Sequence, residues 1–250
     1  MRKTLVLAAA LLFAMSSFAA DLTVDEILAK NAEARGGMEK LRAVKSLRFS
    51  GKMAMMGMEA PITYSQARPD KMRMDFTLQG MTVIQAYDGS TGWMVMPFMG
   101  KKDPEAMTGD MLKDVKEQAD IDGPFVDYAK KGHKVELLGK ADVEGTPTYK
   151  VRLLTKDGTD ATAYFDTETF LQVKTEAKRK MQGQEIESQT TFGNYQEVEG
   201  LLLPFSIEMS SKAAPTQKQS ITIEKAEINP AIDDVTFKMP AAAPKAETKQ

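Results

Sequence analysis

Between residues 71 and 78 the chain reads KMRMDFTL, and every second side chain is apolar: Met72, Met74, Phe76 and Leu78 alternate with Lys71, Arg73, Asp75 and Thr77. This period fits a strand with one buried and one wet face, because a slip of one residue would bury three charges. Leu47, Phe49, Met53 and Met55 alternate in the same way, with Gly51 opening the row and Gly57 predicting a bulge or bend. Further strands are predicted over 81–87, 93–98, 134–138, 148–155, 161–166, 171–177, 185–192, 203–210 and 220–228. The gaps are hairpin-sized, such as DGSTG at 88–92, and there is no βαβ alternation and no repeat of fixed period. The pattern predicts one large antiparallel sheet.

Two stretches depart from it. Thr23 and Glu26 form a capping-box pair ahead of Ile27, Leu28, Ala32 and Leu41, which predicts a helix interrupted at Gly36-Gly37. Residues 103–131 read as an insert of two short amphipathic helices. One starts at Asp103-Pro104 and carries Met107, Met111, Leu112 and Val115 on one face. The other starts at Gly123-Pro124 and carries Phe125, Val126 and Tyr128 up to Gly132. Both need an apolar surface to cover. With Gly109 and many charges, the insert is expected to hold the sheet only modestly and to be its most mobile ordered part.

The first twenty residues read as an export leader: Arg2 and Lys3, an apolar run at 5–15, then SSFAA with cleavage after Ala19 or Ala20. The apolar run is shorter than the ~20 residues that span a bilayer. The expected mature protein is soluble and periplasmic, a single domain over 21–240 with a disordered tail at 241–250. With no cysteine there is neither a disulfide framework nor a lipid-modified cysteine, so the fold rests on its core. Loss of Arg2 and Lys3 takes the formal charge from −2 to −4, with both signs scattered. That excludes a basic stripe for nucleic acid.

Catalytic chemistry is poorly supplied. His133 is the single histidine, has no GxSxG to accompany it, and reads as a plain loop residue in YAKKGHKVELL. Zinc sites built from several His or Cys are excluded by counting. Asp120, Asp122 and Asp127 read as solvated carboxylates of the insert, and DGPF is no EF-hand loop. No enzyme activity and no cofactor are expected.

The methionines are the sharper signal. Of 18, 12 fall between Met53 and Met111, four of them within residues 53–58. Three readings stay open. Methionine fills irregular core gaps, and it is over-used on surfaces that accept apolar partners of varied shape. A uniquely packed core prefers Leu, Ile and Val, which favours a deformable lining. Thioethers also suit Cu(I), but Met72 and Met74 share their face with Phe76 and Leu78, a greasy wall.

The order of motifs carries a resemblance. A leader and a helix ending in ARGGMEKL precede RPDKMRMDF and AYDGSTGWMVMPFMG. After the insert come GTPTYKVRLLTKDG, YFDTETFLQVK, FGNYQEVEGLLLPFSIE and DDVTFKMP. Over residues 22–240 this resembles the bacterial outer-membrane lipoprotein-sorting proteins, relatives of the periplasmic lipoprotein carrier and its outer-membrane receptor. The resemblance implies an incomplete antiparallel β-barrel, mainly β with α, whose concave apolar face is covered by an N-terminal helix and a short helical lid. It implies acyl chains of a lipoprotein or another lipid as ligand, an inner-membrane donor, an outer-membrane acceptor, and a soluble monomeric carrier. The expected lining is Phe49, Met53, Met55, Met72, Met74, Phe76, Leu78, Met81, Val83, Met94 and Met96, with Met107, Met111 and Leu112 from the lid. Trp93, read first as a core anchor, is added at the cavity mouth. The alternative from a different class is a non-catalytic accessory subunit of an envelope or export complex, with a filled interior and an exposed apolar patch.

Overall fold

The computed structural model describes residues 22–181 and 184–241. The expected leader and all but the first residue of the expected tail lie outside the described residues. Helix α1 (Val24–Ala34) starts at the expected capping box: the Glu26 amide donates to Thr23 Oγ1 at 3.3 Å, and the Thr23 amide donates to Glu26 Oε2 at 2.8 Å. Gly36 and Gly37, at φ 117° and 93°, separate it from α2 (Met38–Ala43). Gly36 has no freedom to be anything else, because a Cβ there would sit 2.3 Å from the Gly200 carbonyl oxygen.

Six strands then run as a meander: β1 (Ser46–Met55), β2 (Met58–Ala67), β3 (Lys71–Leu78), β4 (Met81–Tyr87), β5 (Gly92–Met96) and β6 (Lys101–Ala106). Helix α3 (Gly109–Ala119) follows. A second meander comprises β7 (Lys134–Val143), β8 (Thr146–Leu154), β9 (Asp160–Asp166), β10 (Gln172–Met181), β11 (Gln184–Val198), β12 (Leu201–Ser211) and β13 (Ala214–Ile228). Among the described residues these form one 13-stranded sheet in the order β6-β5-β4-β3-β2-β1-β13-β12-β11-β10-β9-β8-β7, and every neighbouring pair is antiparallel. The sheet curls without closing, leaving β6 and β7 as its edges. The expected open half-barrel is therefore the fold.

This topology dictates where the lid must go. Return of β13 to β1 joins the two meanders, so the chain from β6 to β7 has to travel from one edge of the sheet to the other. It does so across the concave face, as residues 107–133. Along that face three apolar clusters form. Ala32, Leu41 and Val44 pack on Leu47, Leu201, Leu203, Phe205 and Ile223. Ile27 and Leu28 pack on Val151, Ala163 and Phe165. Met107, Val115 and Ala119 pack on Met72, Tyr87 and Met94.

Several local expectations are corrected. β2 and β6 were not anticipated as strands. Asp103-Pro104 lies within β6, not at a helix start; as an edge strand β6 tolerates a proline that has no N–H to donate. The helix begins after Thr108 instead. The stretch after Gly123-Pro124 is a run of turns rather than a second helix. Gly123 and Asp127 take φ of 72° and 53°, values from which a right-handed helix does not propagate. Gly57 forms a two-residue hairpin turn with Met56, whereas the bulge falls at Ser50/Gly51 against β13. A Cβ at Gly51 would meet the Thr222 carbonyl oxygen at 2.0 Å.

The convex face is less wet than expected. After β13 a 3-10 turn (Asp234–Thr236) brings the chain back over β3 to β5. Register puts Arg73, Ala86 and Trp93 side by side on this face. Trp93 Nε1 donates to the Phe237 carbonyl at 2.7 Å, and both residues are 0% exposed. The Arg73 guanidinium lies 5.6 Å from the Trp93 ring centroid and donates to the Thr236 carbonyl at 2.9 Å; Lys71 pairs with Asp234 at 2.7 Å.

Candidate functional site

The concave face changes character along its length. On β3 to β5 it is built of Met72, Met74, Tyr87 and Met94, large side chains that reach α3 directly. On β8 to β11 it is built of small ones. Register aligns Leu153, Ala161, Ala177 and Ser188 in one transverse row, and Val151, Ala163, Thr175 and Thr190 in the next. Val151 is covered by α1 and by Phe125 of the crossover, but over Ala161, Ala163, Thr175, Ala177, Ser188 and Thr190, with Leu153 and Phe192 beside them, a cavity of about 710 Å³ remains. Lys116, Glu117 and Asp120 of the α3 end, Phe125, Lys131 and His133 of the crossover, and Thr155 to Thr159 of the β8–β9 turn complete its walls.

The crossover is bound to the sheet on both sides, contrary to the expected modest hold. Tyr64 Oη and Gln66 Nε2 both donate to the Gln118 carbonyl, at 2.9 and 2.7 Å. Arg68 grips Asp122 with two bonds of 2.6 Å. The helices hold it too, Arg42 of α2 reaching Asp127 at 2.9 Å and Asp25 of α1 accepting from Tyr128 Oη at 2.8 Å, while Lys131 to Asp120 at 2.5 Å ties the crossover to itself. On the opposite wall Glu117 Oε1 accepts from the hydroxyls of Thr155 and Thr159, at 3.2 and 2.9 Å. Arg179, from β10, donates through Nη1 to Asp114 at 3.1 Å.

Three carboxylates read as solvated are thus held by cations. Arg68's hydrogen bonds hold the Asp122 carboxyl below the usual carboxylate range, and Lys130 with Arg42 does the same for Asp127. His133, read as a plain loop residue, lines the cavity; its Nδ1 accepts from the Lys156 amide at 3.1 Å, and burial lowers its pKa. An Nδ1 that accepts this bond leaves the ring proton on Nε2.

None of the expected lining residues borders this cavity. Met72, Met94 and Met107 are buried between sheet and α3, a packed core. Met74, Met96 and Leu112 form the half-buried margin of that cluster. Phe49 stacks on Tyr64, ring centroids 6.4 Å apart, and Met53 is buried. Met55, Phe76, Leu78, Met81 and Val83 lie half-buried on the concave face. Met111, in the first turn of α3, is 43% exposed, while Val115 and Ala119 farther along the helix are buried. Trp93 belongs to the opposite face altogether, since successive side chains of a strand point to opposite sides and Met94 faces inward. What sequence reasoning missed is the floor of small residues. Its signal was available in DATAYF and KTEAK, where Ala161, Ala163, Thr175 and Ala177 occupy alternate positions of strands that must be buried on one side.

Among the described residues no helix is long and apolar enough to cross a membrane, and no group of three or more His, Asp or Glu is placed to hold a metal ion.

No protein-family model matches the chain, and no curated protein matches it in sequence. Solved structures do match its fold. A DUF1329 family protein from Desulfovibrio piger superimposes with a TM-score of 0.61 at 10% identity, over 86% of this chain and 97% of that one. A LolA superfamily protein from Nitrosomonas europaea gives 0.58 at 13% identity, over 87% and 98%. A putative outer membrane lipoprotein-sorting protein domain from Vibrio parahaemolyticus gives 0.56 at 11% identity, over 84% and 97%. The structural neighbours are thus of the group that the sequence resembles, and the likeness is one of fold.

Proposed function

We propose that this protein is a non-catalytic periplasmic carrier, a single domain over 21–240. It takes the acyl chains of a lipoprotein or another lipid between its sheet and α3, and moves them from an inner-membrane donor toward an outer-membrane acceptor. One observation carries this reading: over β8 to β11 the small side chains of the sheet leave about 710 Å³ beneath the crossover. Cavities of roughly 300–1,000 Å³ hold small ligands, and a floor in which Leu153, Ala161, Ala163, Ala177 and Phe192 mix with Thr175, Ser188 and Thr190, under walls that carry charged groups, suits an amphiphile. Likeness of fold to a lipoprotein-sorting domain is in keeping with it.

The second reading, an accessory subunit of an envelope complex, is favoured by one feature. The β1–β2 and β5–β6 hairpin tips leave Met56 at 72% and Met99 at 67% exposure, an apolar rim open to a partner. Native mass spectrometry of protein purified without detergent separates the two. A carrier retains a lipid adduct that organic extraction removes; an accessory subunit gives the bare mass.

A further inference from the structure

Arg179 is anomalous among the residues that line the cavity. It is the one described residue with a buried polar side-chain atom, Nε, that has no hydrogen-bond partner. Its other donors face α3: Nη1 bonds Asp114 at 3.1 Å, and Nη2 lies 3.8 Å from Glu117 Oε2. The positive charge is therefore already matched by two carboxylates, while one N–H donor is left over. A buried donor without an acceptor is unfavourable, and anything that supplies a lone pair there is stabilised. The acceptor that fits is a neutral one. A carboxylate would bring a third negative charge next to Asp114 and Glu117, whereas an ester or amide carbonyl supplies the lone pair and no charge.

Placement makes this specific to a lipid. Arg179 continues the inward-facing row of Thr175 and Ala177 on β10, so the floor of small side chains begins beside its guanidinium. An acyl chain lying on that floor has its first polar atom, the carbonyl oxygen, at the arginine. Nε is closed to water in this conformation, so a ligand carbonyl meets it only when the Arg179 side chain or α3 shifts to admit the chain. We infer that Arg179 is the polar anchor of the cavity and selects lipids whose chain begins at a neutral ester or amide carbonyl over free fatty acids. This rests on the carrier reading above.

The test is competition against a fluorescent acyl probe by methyl palmitate, palmitate and hexadecane, with delipidated wild type, Arg179→Met and Asp114→Asn. In the wild type methyl palmitate is expected to bind about tenfold more tightly than hexadecane, equivalent to ~1.4 kcal/mol, with palmitate no better than the ester. Arg179→Met should erase the ester preference and leave hexadecane binding unchanged. Asp114→Asn should keep the ester preference, since Nε is untouched, and improve palmitate. If Arg179→Met does not fold, the wild-type series and Asp114→Asn still decide. Equal binding of ester and hydrocarbon by the wild type would mean that an internal water serves Nε, and would overturn the inference while the carrier reading stands. Preference for palmitate would overturn it in favour of an anion site. If none of the three competes and the probe itself does not bind, the carrier reading falls and the inference with it.

Discussion

Arg68, in the β2–β3 turn, holds Asp122 of the crossover through two hydrogen bonds of 2.6 Å, and the same guanidinium donates to the carbonyls of Leu41 and Val44. One side chain thus ties together α2, the sheet and the lid. Replacing it by Met should leave Asp122 half-buried without a partner and cost about 1–3 kcal/mol. Hydrogen exchange should show the rise in opening concentrated in residues 120–133. Unchanged protection there would mean that the apolar contacts of α3 alone hold the crossover down.

The same pair fixes a pH dependence. Arg68's hydrogen bonds depress the Asp122 pKa in the folded protein. A depressed carboxylate stabilises fully above its unfolded pKa of ~3.9, and that contribution is lost as the pH falls through the lower folded value. The stability difference between wild type and Asp122→Asn should therefore be constant from neutral pH down to about 4 and shrink below it. Thermal unfolding of both proteins across that range measures it. A difference that widens on acidification would show the sign to be wrong.

On the convex face, Phe237 and Trp93 bury each other's surroundings and share one hydrogen bond. Phe237→Ala should cost about 3–5 kcal/mol, as large-to-small changes in cores do. It should also shift the emission of the chain's one tryptophan to the red as the C-terminal strap loosens. A destabilised protein with unchanged emission would place the loss elsewhere.

Legibility followed local signal strength. β3 was plain because KMRMDFTL alternates without exception, and its register puts Met72, Met74 and Phe76 on one face as that pattern demands. β2 was hidden by Pro61, which sits just beyond the stretch paired with β3 from Ile62 onward, and by Gln66 on the inner face. β6, KKDPEA, has no apolar row of its own; it forms because β5 needs a backbone partner. Trp93 could have been excluded from the lining beforehand, since it is adjacent to Met94 in a strand. The cavity was harder, because it is made by what Ala161, Ala163 and Ala177 lack. Only their alignment across β9 and β10 turns separate small residues into one open floor.

The methionines divide into two classes by where the crossover covers them. Met72 is 0% exposed under α3, so Met72→Ala should cost about 2–5 kcal/mol. Met55, Met74 and Met96 are half-buried, and their replacement by Leu should cost less than ~1.5 kcal/mol each. Chemical denaturation of the four single variants tests the division. Equal losses would mean that the whole methionine face is one rigid core.

The central claim is that ligand lies over β9 to β11, where the small residues are, and not over the methionine strands. Thr190→Phe fills the cavity from its floor with little strain, because Thr190 faces empty space rather than a packed neighbour. Titration of a fluorescent acyl probe into wild type, Thr190→Phe and the Met55→Leu, Met74→Leu, Met96→Leu triple variant tests the claim directly. The account predicts saturable uptake by the wild type and the triple variant, and loss of uptake by Thr190→Phe with its fold intact. Undiminished uptake by a folded Thr190→Phe variant, together with loss in the triple variant, would put the ligand on the methionine wall and contradict it.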